Sequence, residues 1–199
     1  NNKELKEEDV RGWLNQDSYK KAKIDNVEVC CEQTDGNEKD PKGNAIDGDE
    51  NTFWHSNWTE KGHSEKHWIK ANFSEAQTVN TFEYLPRKSG TNGTISKFNL
   101  TFFDENGESI KEISDQEFSY TDTTYNTLKQ ITFDPIENVK SVKVEVIDAF
   151  TADNRKYASC AELGVYYSGD ISTTPTVTNM TSSEYVGHID DINSEYDMI

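Results

Sequence analysis

The segment AIDGDENTFWHSNW, residues 45–58, concentrates the side chains with the greatest capacity for chemistry. Oxygen-bearing side chains crowd around Gly48 at four positions: Asp47, Asp49, Asn51 and Thr52. Ca²⁺ takes about six to eight oxygen ligands, and a tight glycine turn aims carbonyl oxygens inward. The segment is not an EF-hand loop, because Thr52 stands at its glycine position and Trp58 at its final glutamate. On local sequence alone, a calcium site and an acidic surface turn are both open interpretations.

A second set of residues has the chemistry that a sugar requires. His55 and Trp58 follow the acidic turn, and the loop PRKSGTNGT places Arg87 five residues before Asn92. Arginine offers a rigid fork of donors, asparagine both donates and accepts, and neutral histidine can do either. Sugar hydroxyls need such partners, while the C–H face of a pyranose packs on an aromatic ring. The alternative is that Arg87 is a solvated charge and Asn92-Gly93 only a turn.

If neutral His55 accepts a hydrogen bond from a sugar hydroxyl, its protonation state matters. Protonation near the unperturbed histidine pKa of about 6.5 would remove the acceptor. The sequence therefore predicts weaker binding in mild acid.

The composition restricts the classes of partner. The chain has 199 residues, a formal net charge of −17 and 33% hydrophobic residues. The negative charge argues against nucleic acid and an anionic membrane surface, which both attract clustered Lys and Arg. No apolar run approaches the roughly 18 residues that would predict membrane insertion. The aromatic share of 11% indicates an aromatic-rich core with rings left for a binding surface.

The elements that must position these residues read as short strands. Hydrophobic residues alternate with polar ones in segments such as 69–73, 98–102, 128–133 and 142–146, and turn signals such as Asn92-Gly93 and Asp134-Pro135 separate the segments. Seven or eight antiparallel strands within residues 25–168 predict a β-sandwich or jelly roll. Residues 1–24 have the spacing of a short helix or linker, and residues 169–199 form a Ser/Thr-rich and acidic linker or tail.

The three cysteines and two of the histidines could have other roles. Cys160 can pair with Cys30 or Cys31, or all three can be free thiols, since adjacent strand residues point to opposite faces. Zinc is not predicted, because no C-x-x-C pair exists. His63 and His67 have helical spacing for a metal, but the surrounding residues favour a solvated loop.

The chain resembles the coagulation factor V/VIII type C (discoidin) domains, and more closely the family 32 carbohydrate-binding modules. The resemblance covers residues 25–168 and rests on four strings in the right order: AIDGDENTFWHSNW, HWIKANF, YLPRKSGTNGTISKFNLTF and YASCAELGVYY. It implies an all-β, eight-stranded antiparallel sandwich with a structural Ca²⁺ and a shallow galactose-type site on its loops.

The resemblance also implies roles for particular residues. The sugar would be held by the polar trio His55, Arg87 and Asn92, with Trp58 as the neighbouring aromatic, Phe150 as the second aromatic and Glu38 approaching from its own loop. The calcium would be held by side chains of Asp47, Thr52 and Glu162 and by backbone oxygens of Asn44 or Ala45, Asp49 and Ala161. Cys31 and Cys160 depart from the family pattern, which has small residues there.

The leading hypothesis is a non-catalytic module that binds terminal galactose or N-acetylgalactosamine and tethers a secreted bacterial enzyme to glycans, mucin O-glycans among them. It would act as a monomer within a multimodular chain, secreted or at the cell surface. A catalytic role is not favoured, because no paired carboxylates, G-x-S-x-G or supported Cys/His pair appears. The alternative function is a discoidin-type adhesion domain for protein or membrane surfaces.

Overall fold

The structure is a computed structural model that describes residues 19–35, 37, 39–59, 66–121, 124–150 and 157–168. These ranges contain nine β-strands and one 3₁₀ helix, Lys42–Ile46, and no α-helix. The strands are β1 (Tyr19–Lys21), β2 (Ile24–Val29), β3 (Trp54–His55), β4 (His67–Leu85), β5 (Thr94–Phe103), β6 (Ser109–Glu117), β7 (Lys129–Phe150), β8 (Ser159–Cys160) and β9 (Glu162–Ser168). Among the described residues, no helix has the length and apolar character needed to span a membrane.

Two long strands, β4 and β7, organise the sheet. The strand order is β1-β9-β4-β7-β5-β8-β3, with β2 added to β4 and β6 to β5. The first half of β4 pairs with β2 and its second half with β9, while β7 pairs along both halves. Register shifts between Asn72 and Thr81 break the long β4–β7 ladder. The sheet curls at this break, and its two halves form the layers of a sandwich.

The core lies between these layers and is rich in aromatic residues. The period-two alternation buries one face of each strand, as in the buried series Ile69, Ala71 and Phe73 on β4. The largest fully buried side chains are Trp54, Tyr84, Phe73, Phe82, Phe98 and Phe102. The prediction of an all-β sandwich built from alternating strands is therefore confirmed.

The strand assignment differs from the sequence prediction in number, with nine strands among the described residues rather than eight, and in detail. The segments predicted as separate strands on either side of Pro135 form one strand, β7, because this proline falls between the paired residues Thr132 and Ile136. There the missing N–H is not required by the ladder. Strand β1 lies within the segment 1–24 assigned to a helix or linker, since Lys20 pairs with Tyr167. Residues 1–18 and 169–199 lie outside the described residues.

The cysteines are free thiols, with Cys160 fully buried and its two counterparts half-buried. The Sγ atoms of Cys30 and Cys31 lie 3.4 Å apart. The expectation that they point to opposite faces is wrong, because β2 ends at Val29 and strand alternation does not extend to them. No disulfide links Cys160 to either residue.

Candidate functional site

His55 is held at the edge strand β3 by backbone bonds on both sides. Trp54 and His55 pair with Cys160 and Ser159 of β8. The His55 N–H donates to the carbonyl of Asp40 at 3.2 Å, and its carbonyl accepts from the Gln33 N–H at 2.9 Å. Three chain segments therefore fix the position of this histidine.

The imidazole of His55 is neutral, and its Nδ1 contacts a backbone carbonyl. Nδ1 lies 2.7 Å from the carbonyl oxygen of Ser56, which can only accept, so this contact favours the proton on Nδ1. The side chain is 2% exposed, and burial lowers the pKa of His55 to about 4. The nearby Arg87 charge acts in the same direction, while hydrogen bonds with the backbone of Ser56 and Asn92 oppose the shift. The ring therefore stays neutral at physiological pH.

Three aromatic rings surround this imidazole. Trp58 meets it edge-on at a centroid distance of 4.7 Å, Tyr157 lies at 5.6 Å and Phe53 at 6.4 Å. Trp58 is half-buried. Trp58 was predicted from the sequence as an aromatic of the site, whereas Phe53 and Tyr157 were not. Their positions in the sequence could have indicated them, because Phe53 precedes Trp54 in the segment 45–58 and Tyr157 is the first residue of the string YASCAEL.

Arg87 projects from the loop that follows β4. Its guanidinium carbon lies 4.1 Å above the centroid of the Phe53 ring, a cation–π contact. Its Nε donates to the Ser89 carbonyl at 2.6 Å, which sets the direction of the guanidinium fork. The neighbouring Lys88 turns instead to Glu50, 2.9 Å away. Arg87 is thus held in place, half-buried, with its charge close enough to His55 to influence its pKa.

Asn92 is the exposed tip of a turn that is fastened to β8. Its carbonyl accepts from the Ser159 hydroxyl at 3.0 Å, and the Gly93 carbonyl accepts from the Ser159 N–H at 2.8 Å. Gly93 has a φ of +82°, and an added Cβ would lie 2.8 Å from the backbone of Ala158 and Ser159. Only glycine fits this approach. Because β8 also pairs with β3, the turn brings Asn92 to His55.

The structure thus brings together four of the residues predicted for the sugar: His55, Arg87, Asn92 and Trp58. Phe150 ends β7 opposite Thr94, and its carbonyl accepts from the Gly93 N–H at 2.7 Å. Its ring is 43% exposed and packs edge-on against Tyr120, at 5.3 Å. Glu38 lies outside the described residues.

The residues predicted for calcium meet where the Asp47 loop faces the start of β9. Glu162 Oε1 accepts from the Gly48 N–H at 2.7 Å, which joins positions 114 residues apart in sequence. The Thr52 hydroxyl donates to Asp47 Oδ2 at 2.7 Å, and the Asp49 carbonyl accepts from the same hydroxyl at 3.1 Å. Gly48 makes this tight turn with a φ of +81°.

The electrostatics of this loop suit a hard cation. Partial burial raises the pKa of Glu162, and the negative charge of Asp47 raises it further. The Asp49 carboxylate instead accepts hydrogen bonds from the backbone and side-chain amides of Asn51. The backbone carbonyl oxygen of Asp49 is therefore the atom that it could offer to an ion. Ala45 and Ala161 are buried, and the Asn44 amide donates to the Phe53 carbonyl at 3.1 Å. Two facing carboxylates with neighbouring carbonyl and hydroxyl oxygens fit the donor set of Ca²⁺.

Comparisons with known proteins identify relatives of this arrangement. The profile of the F5/8 type C domain matches residues 16–163. The chain is 31% identical over 142 residues to the A type blood N-acetyl-alpha-D-galactosamine deacetylase of Flavonifractor plautii. The match covers 70% of this chain and 17% of the deacetylase.

Solved structures agree with the family match. The Clostridium perfringens module CpGH89CBM32-5, in complex with GalNAc-beta-1,3-galactose, is 27% identical with a TM-score of 0.59, covering 76% of this chain and 97% of that one. The family 32 module of C. perfringens NanJ, in complex with galactose, is 27% identical with a TM-score of 0.56, covering 77% and 96%. On the extent of the profile match and the shared fold, this chain belongs to the F5/8 type C domain family.

Proposed function

We propose that this chain is a non-catalytic carbohydrate-binding module that takes a terminal galactose or N-acetylgalactosamine at the site of His55, Arg87, Asn92 and Trp58. The observation that carries the proposal is the convergence of the neutral His55 imidazole, the oriented Arg87 guanidinium and the half-buried Trp58 ring. Two relatives of known structure hold a galactose-containing ligand, which supports the same sugar class here.

Each group has a distinct part in recognition. The His55 Nε2 accepts from a sugar hydroxyl, and the Arg87 fork donates to two adjacent sugar oxygens. The exposed Asn92 amide can do both, and Trp58 offers its ring to the C–H face of the pyranose. Galactose and glucose differ in the direction of one hydroxyl, so a site built around that hydroxyl leaves its polar groups unpaired with the wrong epimer.

We further propose that Ca²⁺ is a structural ligand of the Asp47 loop. The side chains of Asp47, Thr52 and Glu162 would hold the ion, with backbone oxygens of Asn44 or Ala45, Asp49 and Ala161. Its positive charge would neutralise the two facing carboxylates. The loop leads directly into β3, so it also supports the position of His55.

The wider role proposed is tethering. The deacetylase of F. plautii is an enzyme far longer than its matching region, which supports a secreted or surface enzyme that uses such a module to stay on its glycan. Mucin O-glycans are candidates because they carry terminal residues of this class.

The test is Arg87→Ala, with Lys88→Ala as the matched control that removes a neighbouring loop charge. Calorimetric titration with galactose should give a dissociation constant near millimolar, about 4 kcal/mol of binding. Losing a hydrogen bond to a charged group costs about 1.5–3 kcal/mol, so Arg87→Ala should bind undetectably. Lys88→Ala should bind galactose as the wild type does. Glucose should bind neither to the wild type nor to Lys88→Ala.

Folding must be checked alongside binding. Arg87 is half-buried and contributes a cation–π contact and a hydrogen bond to the Ser89 carbonyl, so its removal should lower the free energy of unfolding by about 1–2 kcal/mol. If folded Arg87→Ala binds galactose as the wild type does, the proposed site is wrong. If the wild type binds anionic liposomes and no galactose-class sugar, the chain is instead a discoidin-type adhesion domain.

A further inference from the structure

A cluster of two thiols and an imidazole lies outside both sites described above. Cys30 and Cys31 follow the end of β2, and His67 begins β4. The Cys30 Sγ lies 3.4 Å from the Cys31 Sγ and 3.6 Å from the His67 Nδ1. One potential ligand atom from each residue falls within 4.8 Å of the others. The Cys30 N–H donates to the Trp68 carbonyl at 3.1 Å, which fixes the two segments against each other.

We propose that Cys30, Cys31 and His67 bind a thiophilic metal ion of the Zn²⁺ class. In a tetrahedral zinc site, Zn–S bonds of about 2.3 Å and Zn–N bonds of about 2.05 Å place ligand sulfurs about 3.8 Å apart and sulfur and nitrogen about 3.6 Å apart. The Cys30–Cys31 and Cys30–His67 distances lie within a few tenths of an ångström of these values, and the third pair lies within 4.8 Å. Three protein ligands leave the fourth position of the ion for water.

The environment suits such an ion. His67 is 2% exposed and both cysteines are half-buried, so the ligands are shielded but reachable from solvent. Sulfur and imidazole nitrogen select zinc and related soft ions, whereas the all-oxygen set at Asp47 selects hard ones. The two sites therefore differ in the class of ion that they take.

The obvious competing outcome is a disulfide between the adjacent cysteines. Residues joined by a trans peptide have Cα atoms about 3.8 Å apart, below the roughly 4.4–6.8 Å that disulfides usually span. No cis peptide joins Cys30 to Cys31. A disulfide would also leave unexplained why a buried histidine converges on the same sulfurs.

The cluster is linked to the sugar site through backbone and side-chain hydrogen bonds. The Trp54 indole Nε1 donates to the Cys31 carbonyl at 3.0 Å, and Trp54 directly precedes His55. Two residues beyond Cys31, the Gln33 N–H donates to the His55 carbonyl. A metal ion on Cys31 would thus rigidify the segment that holds His55, although the proposal does not depend on what His55 binds.

The test is titration of the full chain, reduced and freed of metal, with Cd²⁺ alone and then with Zn²⁺ in competition. We expect a thiolate-to-metal charge-transfer band that saturates at one Cd²⁺ per chain and is displaced by Zn²⁺ but not by Ca²⁺. Cys31→Ser and His67→Gln should each weaken Cd²⁺ binding by at least about 100-fold, since even indirect partners of metal ligands cost about 10–100-fold. Cys160→Ala is the matched control and should keep the band.

If the variant of the deeply buried His67 does not fold, the half-buried Cys31 carries the test by itself. Absence of the band in the folded wild type, or a band that survives in Cys31→Ser, would overturn the metal site. So would a native mass two hydrogens below the reduced mass, combined with a reduced chain that binds no Cd²⁺; that result assigns a Cys30–Cys31 disulfide instead.

Discussion

At the residue scale, burial determines what His55 can do. Its Nδ1 contacts the Ser56 carbonyl, and desolvation keeps the ring neutral. In the sugar site proposed above, such a neutral ring would accept a hydrogen bond from a ligand hydroxyl.

The pH dependence follows from the lowered pKa of His55. Because the folded pKa is about 4, galactose affinity should stay within about twofold between pH 7.5 and 5.5, contrary to the weakening predicted from the unperturbed value of about 6.5. The unfolded chain takes up the proton first, so this residue lowers stability as pH falls from about 6.5 to about 4. The loss is about 3 kcal/mol at the acid end.

Calorimetry at the two pH values and denaturant unfolding across the range check this prediction. His55→Gln, which has no titratable group, is the control, and its stability should fall less steeply in acid. A galactose affinity that drops tenfold by pH 5.5 in a fully folded protein would show that His55 titrates normally.

The residues of the site differ in how far the sequence could predict them. His55, Arg87 and Asn92 were predicted because their residue types and their spacing in the motifs can be read directly from the sequence. The cation–π contact of Arg87 with Phe53 and the approach of Tyr157 to His55 depend on loops that meet only in the fold. The pKa of His55 was mispredicted for the same reason, since burial is a property of the packed chain.

At the scale of elements, the Asn92-Gly93 turn joins β5 to β8. Gly93→Ala would add a Cβ against the Ala158–Ser159 backbone, whereas Gly107, with a similar φ of +79°, has nothing within 4 Å of an added Cβ. Both substitutions cost the left-handed conformation, about 1–2 kcal/mol. Gly93→Ala should cost about 1–3 kcal/mol more, because a well-packed region must shift.

Chemical denaturation of both variants measures this difference directly. Galactose binding should weaken in Gly93→Ala and stay unchanged in Gly107→Ala, because only the first displaces Asn92. Equal stability losses in the two variants would contradict the close approach of the turn to β8.

Strand existence was predictable here, and strand extent was not. Alternation in residues 98–102 or 142–146 predicts a half-buried strand from local pattern alone. The fusion of two predicted strands into β7 depends on Pro135 falling in a gap of the ladder with β4, which only the register reveals. The segment after β2 shows the converse, since leaving the strand at Val29 turned Cys30 and Cys31 to the same side.

At the scale of the whole molecule, the Asp47 loop and Glu162 connect distant parts of the chain. If Ca²⁺ binds there, saturation at 100 times its dissociation constant stabilises the fold by about 2.7 kcal/mol. Chelation should therefore lower the melting temperature. In Cys31→Ser, which lacks the proposed thiol site, restoring Ca²⁺ should reverse the loss, and restoring Zn²⁺ should not.

Glu162→Gln sharpens this test, because glutamine keeps an acceptor for the Gly48 N–H and removes the charge that repels Asp47. The variant should be less stable than the wild type with Ca²⁺ and more stable without it. A melting temperature that changes neither on chelation nor with this substitution would contradict the proposed calcium site.

The first and last described strands lie side by side, with Tyr19 opposite Ser168 in an antiparallel pair. A pull applied to these two residues in opposite directions loads one rung of the ladder at a time, so the pair opens like a zipper and resists little force. Strand β3, which carries His55, is at the far end of the strand order, with five strands between it and β1. Tension along the chain would thus separate β1 from β9 first. The ligand proposed to bind at His55 would stay bound after that first step of unfolding.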